Sequence, residues 1–397
     1  MLMKSSMSRR SVLGAAVTAG VAGIAGASMA AETSATQRES EWRNNNPDMT
    51  YRRLGRTGYM VSEVVMGGNT IAPDNNRHVE LAVEMGLNYF DTSPAYGSGK
   101  SEEGYGELLK RSSFREKVFV NSKVSVFDSN RSTFYWNMYQ ELPASEQKKI
   151  RNEAERLIAD RRVKESRYLG GYGTWQITEI DKAYFSNVME KYYGDKIDRR
   201  KEYYSRIIDS VEGSLKRLKT DYLDLFMCPH GANSPEELVI PEIHEALGKL
   251  KSDGKIRAAG LSCHTDPGGV LIKAVEHGGY DAVMIAYSVV NGDFSLAPIR
   301  SAWEHDVGVI AMKVARPVYP DRGGNITIPK SRVEALDRII PGKMKTPMKA
   351  YLWALQNPYI TCVNSDMHNE SHVRDNLTLP GEKVELQPLE NLDEWKF

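Results

Sequence analysis

A parallel α/β barrel is the fold class this sequence predicts, and two observations carry the prediction. Short apolar runs recur eight times from residue 64 onward, at 64–67, 88–91, 118–122, 222–228, 256–262, 282–286, 308–312 and 360–363. Stretches with apolar residues at helical spacing lie between them, at 77–85, 102–111, 203–218, 241–252, 269–277, 297–305 and 347–356. Strand–helix alternation repeated eight times is the pattern of a parallel (β/α)8 TIM barrel. A doubly wound open sheet is the rival. Its dinucleotide-binding form needs a glycine-rich GxGxxG turn after the first strand, and Gly67-Gly68 is too short to supply one.

Taken in order, the chain opens outside the barrel. Ser8-Arg-Arg-Ser-Val-Leu13 precedes a Gly- and Ala-rich apolar run, and Ser28-Met-Ala30 has the small-x-small form of a cleavage site. Residues 1–31 therefore read as a twin-arginine export signal, with the export machinery as partner and a periplasmic or other extracytoplasmic destination; an ordinary secretory signal with two chance arginines is the alternative, and a retained membrane anchor the third reading. A cleaved signal leaves no stable membrane insertion. Residues 32–48 are polar, end in Asn44-Asn-Asn-Pro47, and read as a linker. The barrel is placed at 49–380 and a C-terminal tail at 381–397. An insertion at 124–201 follows the third barrel strand. Residues 141–167 and 184–193 suggest helices, with a glycine–aromatic loop, Tyr168-Leu-Gly-Gly-Tyr-Gly-Thr-Trp175, between them. A structureless loop of that length would be unusual. As a whole the insertion reads as a lid over the mouth; individually, Tyr135, Trp136, Tyr172 and Trp175 read as the small core of a helical insert.

Lysine plus arginine equals aspartate plus glutamate at 52 each, which gives no support for nucleic-acid or anionic-membrane binding. Cys228, Cys263 and Cys362 match no zinc or iron–sulfur spacing and read as small buried hydrophobes, so no metal is expected.

The chemistry concentrates at strand ends. Gly86-Leu-Asn-Tyr-Phe-Asp91-Thr-Ser-Pro-Ala-Tyr96 sets a carboxylate and a phenol five residues apart. Lys123 ends the third apolar run and His230 follows the fourth. Parallel strands bring such ends together. A phenol is a poor acid or base at neutral pH, and a nearby ammonium lowers its pKa while a carboxylate holds the ammonium. Asp91, Lys123 and Tyr96 could form that relay, with His230 orienting a substrate carbonyl.

These residues resemble the aldo-keto reductase superfamily. Tyr51-Arg-Arg-Leu-Gly-Arg-Thr-Gly58 resembles the N-terminal β-hairpin of bacterial members. Leu215-Lys-Arg-Leu-Lys-Thr-Asp-Tyr-Leu-Asp-Leu225, Gly308-Val-Ile-Ala-Met-Lys313 and Val373-Arg-Asp-Asn376 follow in the family's order. The resemblance implies hydride transfer between NAD or NADP and a small carbonyl or alcohol, with a sugar-like substrate as one candidate. Tyr96 would be the general acid–base, Lys123 its tuner, Asp91 the anchor of Lys123 and His230 the substrate orienter. His230 is displaced by one position from the family's histidine, with Pro229 in a place to restore its aim and His264 as the reserve. The cofactor would meet Gly67, Gly68, Ser262, Cys263, Met284, Tyr287, Met312, Lys313, Asp366 and Asn376. Ser262 would hold the carboxamide and Tyr287 would stack on the nicotinamide. Cys263 stands where an asparagine is usual and Met284 where a glutamine is usual, so two amides are lost there. Asp366, where a phosphate-binding lysine is found in NADP-preferring members, points to NAD. Two rival readings remain at this level: a lyase using Lys123 as a Schiff-base nucleophile, and a nicotinamide-binding scaffold without turnover.

Overall fold

The computed structural model describes residues 39–124, 127–165, 174–320 and 327–388. The expected signal segment, the loop at 166–173 and the last nine residues lie outside them. Eight parallel strands close into a barrel: Val64–Gly67, Tyr89–Asp91, Phe119–Lys123, Leu223–Ala232, Ile256–Cys263, Ala282–Ala286, Gly308–Met312 and Cys362–Ser365, with the last hydrogen-bonded to the first. Every apolar run expected to be a strand is one. The strands are buried on both faces, which is why they read as continuous apolar runs. Alternation still sorts their side chains. Val65, Tyr89, Phe119, Leu225, Met284 and Ile310 fill the interior. Val64, Met66, Phe90 and Val120 turn outward against the helices.

The bottom of the barrel is plugged by a hairpin, Tyr51–Arg53 with Tyr59–Ser62. Part of the expected linker is docked here. Glu41–Trp42 pairs in parallel with Tyr59–Met60, and the Asn88 side-chain amide donates to Arg43 O at 2.8 Å. The reason is electrostatic. Asp224 is fully buried in the fourth strand, and Arg43 (3.0 Å), Arg115 (2.8 Å) and Arg257 (2.9 Å) converge on it. A buried carboxylate persists only with such partners, and Arg43 reaches it from the stretch that would otherwise be loose.

The insertion holds three helices, Phe127–Gln140, Ala144–Arg161 and Thr174–Tyr193. The first was not expected, because its aromatic and polar residues form no single apolar stripe. The insertion has its own core, including Tyr135, Tyr139, Ile150, Ile158, Tyr184 and Met189. Tyr135 is buried in that core, and the exposed Trp136 stacks on Tyr139, so these two aromatics serve the insert itself. The side chains of Tyr172 and Trp175 lie outside the described residues. An ionic chain fastens the insert to the barrel. Arg131 donates to Glu190 at 2.7 Å, Glu190 accepts from Arg199 at 2.8 Å, and Arg199 donates to Glu242 on the barrel helix Pro241–Ser252 at 2.7 Å. Among the described residues no helix is long and apolar enough to cross a membrane.

Candidate active site at the C-terminal mouth of the barrel

Register places the site. Gly67 pairs with Asp91, and Asp91 pairs with Asn121, so Lys123 stands one inward step above Asp91's neighbour. The Lys123 Nζ lies 2.6 Å from Asp91 Oδ1, 2.9 Å from Thr92 O and 3.3 Å from Tyr96 OH. Lys123 and Asp91 are both almost wholly buried. Asp91 also accepts from the Asn121 amide (2.5 Å, Oδ1) and the Asn364 amide (2.9 Å, Oδ2). Three donors on one carboxylate offset the cost of burying its charge.

Tyr96 reaches this pair from a tight loop. Gly97 (φ 58°) and Gly99 (φ 93°) sit in the left-handed region, which turns the chain immediately after the phenol. Buried Glu102 ties the loop to the third strand, accepting from Ser122 Oγ (2.6 Å) and Arg217 Nε (2.6 Å).

The fourth strand carries a bulge. Met227 pairs with Gly260 but His230 pairs with Ser262, so one extra residue, around Pro229, is absorbed between them. The bulge falls where the sequence shows the one-residue displacement. His230 Nδ1 lies 3.2 Å from Val124 O. Burial, Lys123 and Lys313 hold the imidazole neutral, its pKa pushed down to about 3. A carbonyl oxygen can only accept, so Nδ1 carries the proton and Nε2 is left as an acceptor. In that tautomer His230 presents an acceptor toward a substrate hydroxyl, where the sequence reading had it orient a carbonyl. His264 is driven below its ordinary range by burial, Lys313 and His230, so it shares the mouth.

The phenol also departs from expectation. A lowered pKa was expected from Lys123. Burial raises it instead, and Asp91 and Asp366 raise it further. Tyr96 is therefore a neutral donor at ordinary pH.

The expected cofactor residues divide. Ser262 faces the mouth and accepts from Gly231 N at 2.9 Å, leaving its own proton to donate. Its strand neighbour Cys263 turns outward into the helix layer. Met284 pairs with Ser262 and faces the barrel interior, as does Met312. Tyr287 is nearly buried; it stacks on Trp353 (5.1 Å between rings) and its hydroxyl accepts from Asn357 at 3.1 Å, so one ring face is already covered. Lys313 ends the seventh strand at φ 60°. Asp366 is exposed and stands beside Gly67. A Cβ on Gly67 would lie 2.4 Å from its Oδ1, and one on Gly68 would lie 2.5 Å from Asp91 O. Asn376 is buried and donates to Ser365 Oγ at 2.9 Å, so its amide secures its own strand–helix connection. Asn121 and Asn364 were missed. Each is an inward residue two positions before one that was found, Lys123 and Asp366, and that period-two spacing is the signal that would have exposed them.

A nicotinamide dinucleotide fits this surface at its amide end. Asn121 Oδ1 and Asn364 Oδ1 are buried and have no hydrogen-bond partner among the described residues. Ser262 has a proton to give, and Gly67 borders the Asn364 oxygen, where an added Cβ would lie 2.9 Å away. Among the described residues no group of three or more potential metal ligands is gathered.

The aldo/keto reductase family model matches residues 63–166 and 171–319. The chain is 25% identical over 224 residues to the aldo-keto reductase YhdN of Bacillus subtilis, covering 54% of this chain and 47% of that protein. It is 23% identical over 249 residues to the NADH-specific methylglyoxal reductase of Escherichia coli, covering 62% and 57%. The chain thus spans about half the length of the curated relatives it matches. An aldo-keto reductase from Bacillus halodurans, solved in its holo form, matches in structure with a TM-score of 0.56 at 19% identity, covering 84% and 92% of the two chains. That likeness shows the fold.

A neutral, half-buried His230 has a consequence for acid stability. Its folded pKa of about 3 lies below the ordinary 6.5, so the unfolded chain binds more protons between those values. Its contribution is fully present above pH 6.5 and is lost as pH falls toward 3. His230→Gln is expected to flatten the fall of unfolding free energy over that window. Urea melts at several pH values would show it, and an unchanged slope would mean that His230 titrates normally.

Proposed function

The chain belongs to the aldo/keto reductase family, and from that premise we propose that it is an NAD(P)-dependent oxidoreductase exchanging hydride between the dinucleotide and a small carbonyl or alcohol. The observation that carries the reading is the Asp91–Lys123–Tyr96 arrangement, with 2.6 Å and 3.3 Å contacts at the C-terminal mouth. When bound, the nicotinamide supplies the hydride. The chain's own groups handle the proton and the geometry. Tyr96, neutral and beside Lys123, donates its phenolic proton to the substrate oxygen as negative charge develops there. Lys123 stabilises the phenolate left behind, and Asp91 fixes Lys123. His230, with Nε2 an acceptor, takes a hydrogen bond from a hydroxyl near the reacting carbon. That preference favours a hydroxylated, sugar-like carbonyl.

The Schiff-base reading loses ground. The three protons of the Lys123 ammonium are matched by Asp91, Thr92 O and Tyr96, and a charged amine held so is no nucleophile.

We extend the proposal to NAD as preferred cofactor and to export through the segment at 1–31. The acidic Asp366 supports NAD by its charge, and the name of the Escherichia coli relative is consistent with it. The paired Arg9-Arg10 before an apolar run supports export.

Tyr96→Phe should lower turnover by about a thousandfold while leaving dinucleotide affinity nearly unchanged. Steady-state rates beside fluorescence titration of NADH would check this, and near-normal turnover would remove Tyr96 from the mechanism. The wild type should bind NAD more tightly than NADP, and Asp366→Lys should narrow or reverse that order; calorimetric titration of both dinucleotides would settle it against us if NADP binds tighter from the start. Replacing Arg9 and Arg10 by lysine should retain the protein in the cytoplasm. Fractionation of the producing cells that finds both versions in the same compartment would defeat the twin-arginine assignment.

A further inference from the structure

The floor of the mouth contains an amide whose orientation is forced and whose carbonyl is left over. Asn364 lies on the eighth strand, paired with Val65. Its nitrogen lies 2.9 Å from Asp91 Oδ2. A carboxylate oxygen can only accept, so the amide cannot be flipped without setting oxygen against oxygen. The same nitrogen lies 3.9 Å from Met284 Sδ. Oδ1 is thereby directed away from Asp91, is buried, and has no partner among the described residues. A Cβ on Gly67 would lie 2.9 Å from it, so it borders the bare glycine backbone. An unmatched buried carbonyl is costly unless a ligand matches it.

The reaction geometry says which ligand does so. A hydride donor carbon must come within about 3 Å of the carbonyl carbon whose oxygen takes the Tyr96 proton. The carboxamide on the neighbouring ring atom must then find its partners on the floor beside Asp91, Lys123 and Met284. Met284 offers no amide there. Ser262, in register with Met284, offers a proton to the carboxamide oxygen. What is missing is an acceptor for the carboxamide NH2.

We propose that Asn364 is that acceptor: its Oδ1 receives a hydrogen bond from the nicotinamide carboxamide and replaces, from the eighth strand, the amide that Met284 does not supply on the sixth. This rests on the dinucleotide reading above. Asn364 is then a cofactor-positioning residue with two functions in one side chain, since its nitrogen braces Asp91 while its oxygen grips the ring.

The test is calorimetric titration of the full-length protein with NAD and with nicotinic acid adenine dinucleotide, which carries a carboxylate in place of the carboxamide, and with the NADP pair in the same way. The wild type should favour the carboxamide form by about tenfold or more, because a carboxylate would meet Oδ1 with no proton to share. In Asn364→Leu the carboxamide form should weaken by about tenfold and the acid form much less, so that the ratio collapses toward one. Asn364→Ser, smaller and polar, guards against a folding artefact, with thermal melts confirming that both variants are folded. If the wild type binds both forms equally, or if the ratio survives in folded variants, the assignment to Asn364 is overturned while the dinucleotide reading stands. If the wild type binds neither dinucleotide, that reading falls and the assignment falls with it.

Discussion

The buried ion pair between Lys123 and Asp91 is the constraint around which the mouth of this barrel is organised. Two opposite charges almost out of contact with water are costly to place there, and their attraction offsets the cost only if every remaining valence is met. Asp91 meets it with Asn121 and Asn364, and Lys123 with Thr92 O and Tyr96. The surrounding sequence follows from that requirement. Gly67 and Gly68 leave room on one side, where a Cβ would strike Asp366, Asn364 or the Asp91 backbone. The two asparagines interrupt apolar strands because a carboxylate between them needs donors more than the interior needs methyl groups.

The same logic runs at the opposite end of the barrel, with more cations on the carboxylate. There one buried carboxylate, Asp224, is surrounded by three guanidinium groups, and Glu41 joins them at 2.6 Å from Arg257. At the bottom the surplus charge is positive and is spent on fastening the N-terminal segment to the barrel. At the top the pair is balanced, and the neutral groups Tyr96 and His230 are left beside it. Stability and chemistry thus occupy opposite faces, as expected of this architecture.

What could be read from the sequence was whatever depends on period and on residue type. The eight strands were evident because a strand buried on both faces is a continuous apolar run. Asp91, Tyr96 and Lys123 were evident because ionisable residues at the ends of such runs have few other reasons to be there. Contacts set by tertiary geometry were not evident. The docking of Glu41 and Arg43 depends on Asp224, some 180 residues away in the chain, and no local pattern announces it. The covering of one face of Tyr287 depends on Trp353, on a helix beyond the next barrel strand. Asn364 and Asn121 look like ordinary polar residues near strand ends until the register shows that both point at Asp91. The displacement of His230 was visible in the sequence, but the bulge around Pro229 and the Nδ1 contact with Val124 O are properties of the folded strand.

The phenol shows why a correct list of residues can still carry the wrong electrostatics. Sequence supplies a tyrosine and a lysine, and the simplest inference is that the cation draws the phenol toward ionisation. In the fold that cation is already committed. Its shortest contact is to Asp91 at 2.6 Å, while Tyr96 OH is at 3.3 Å and the ring centroid at 4.8 Å. A charge neutralised at 2.6 Å acts on its surroundings as a dipole, whose influence falls off faster with distance than that of a free ammonium. Desolvation of the phenol then dominates, and the two carboxylates add to it. The result is a phenol and an imidazole that are both uncharged at rest. In the proposed reaction an uncharged phenol is the form that can give a proton to a carbonyl oxygen, and Lys123 would become useful to it only as the phenolate begins to form.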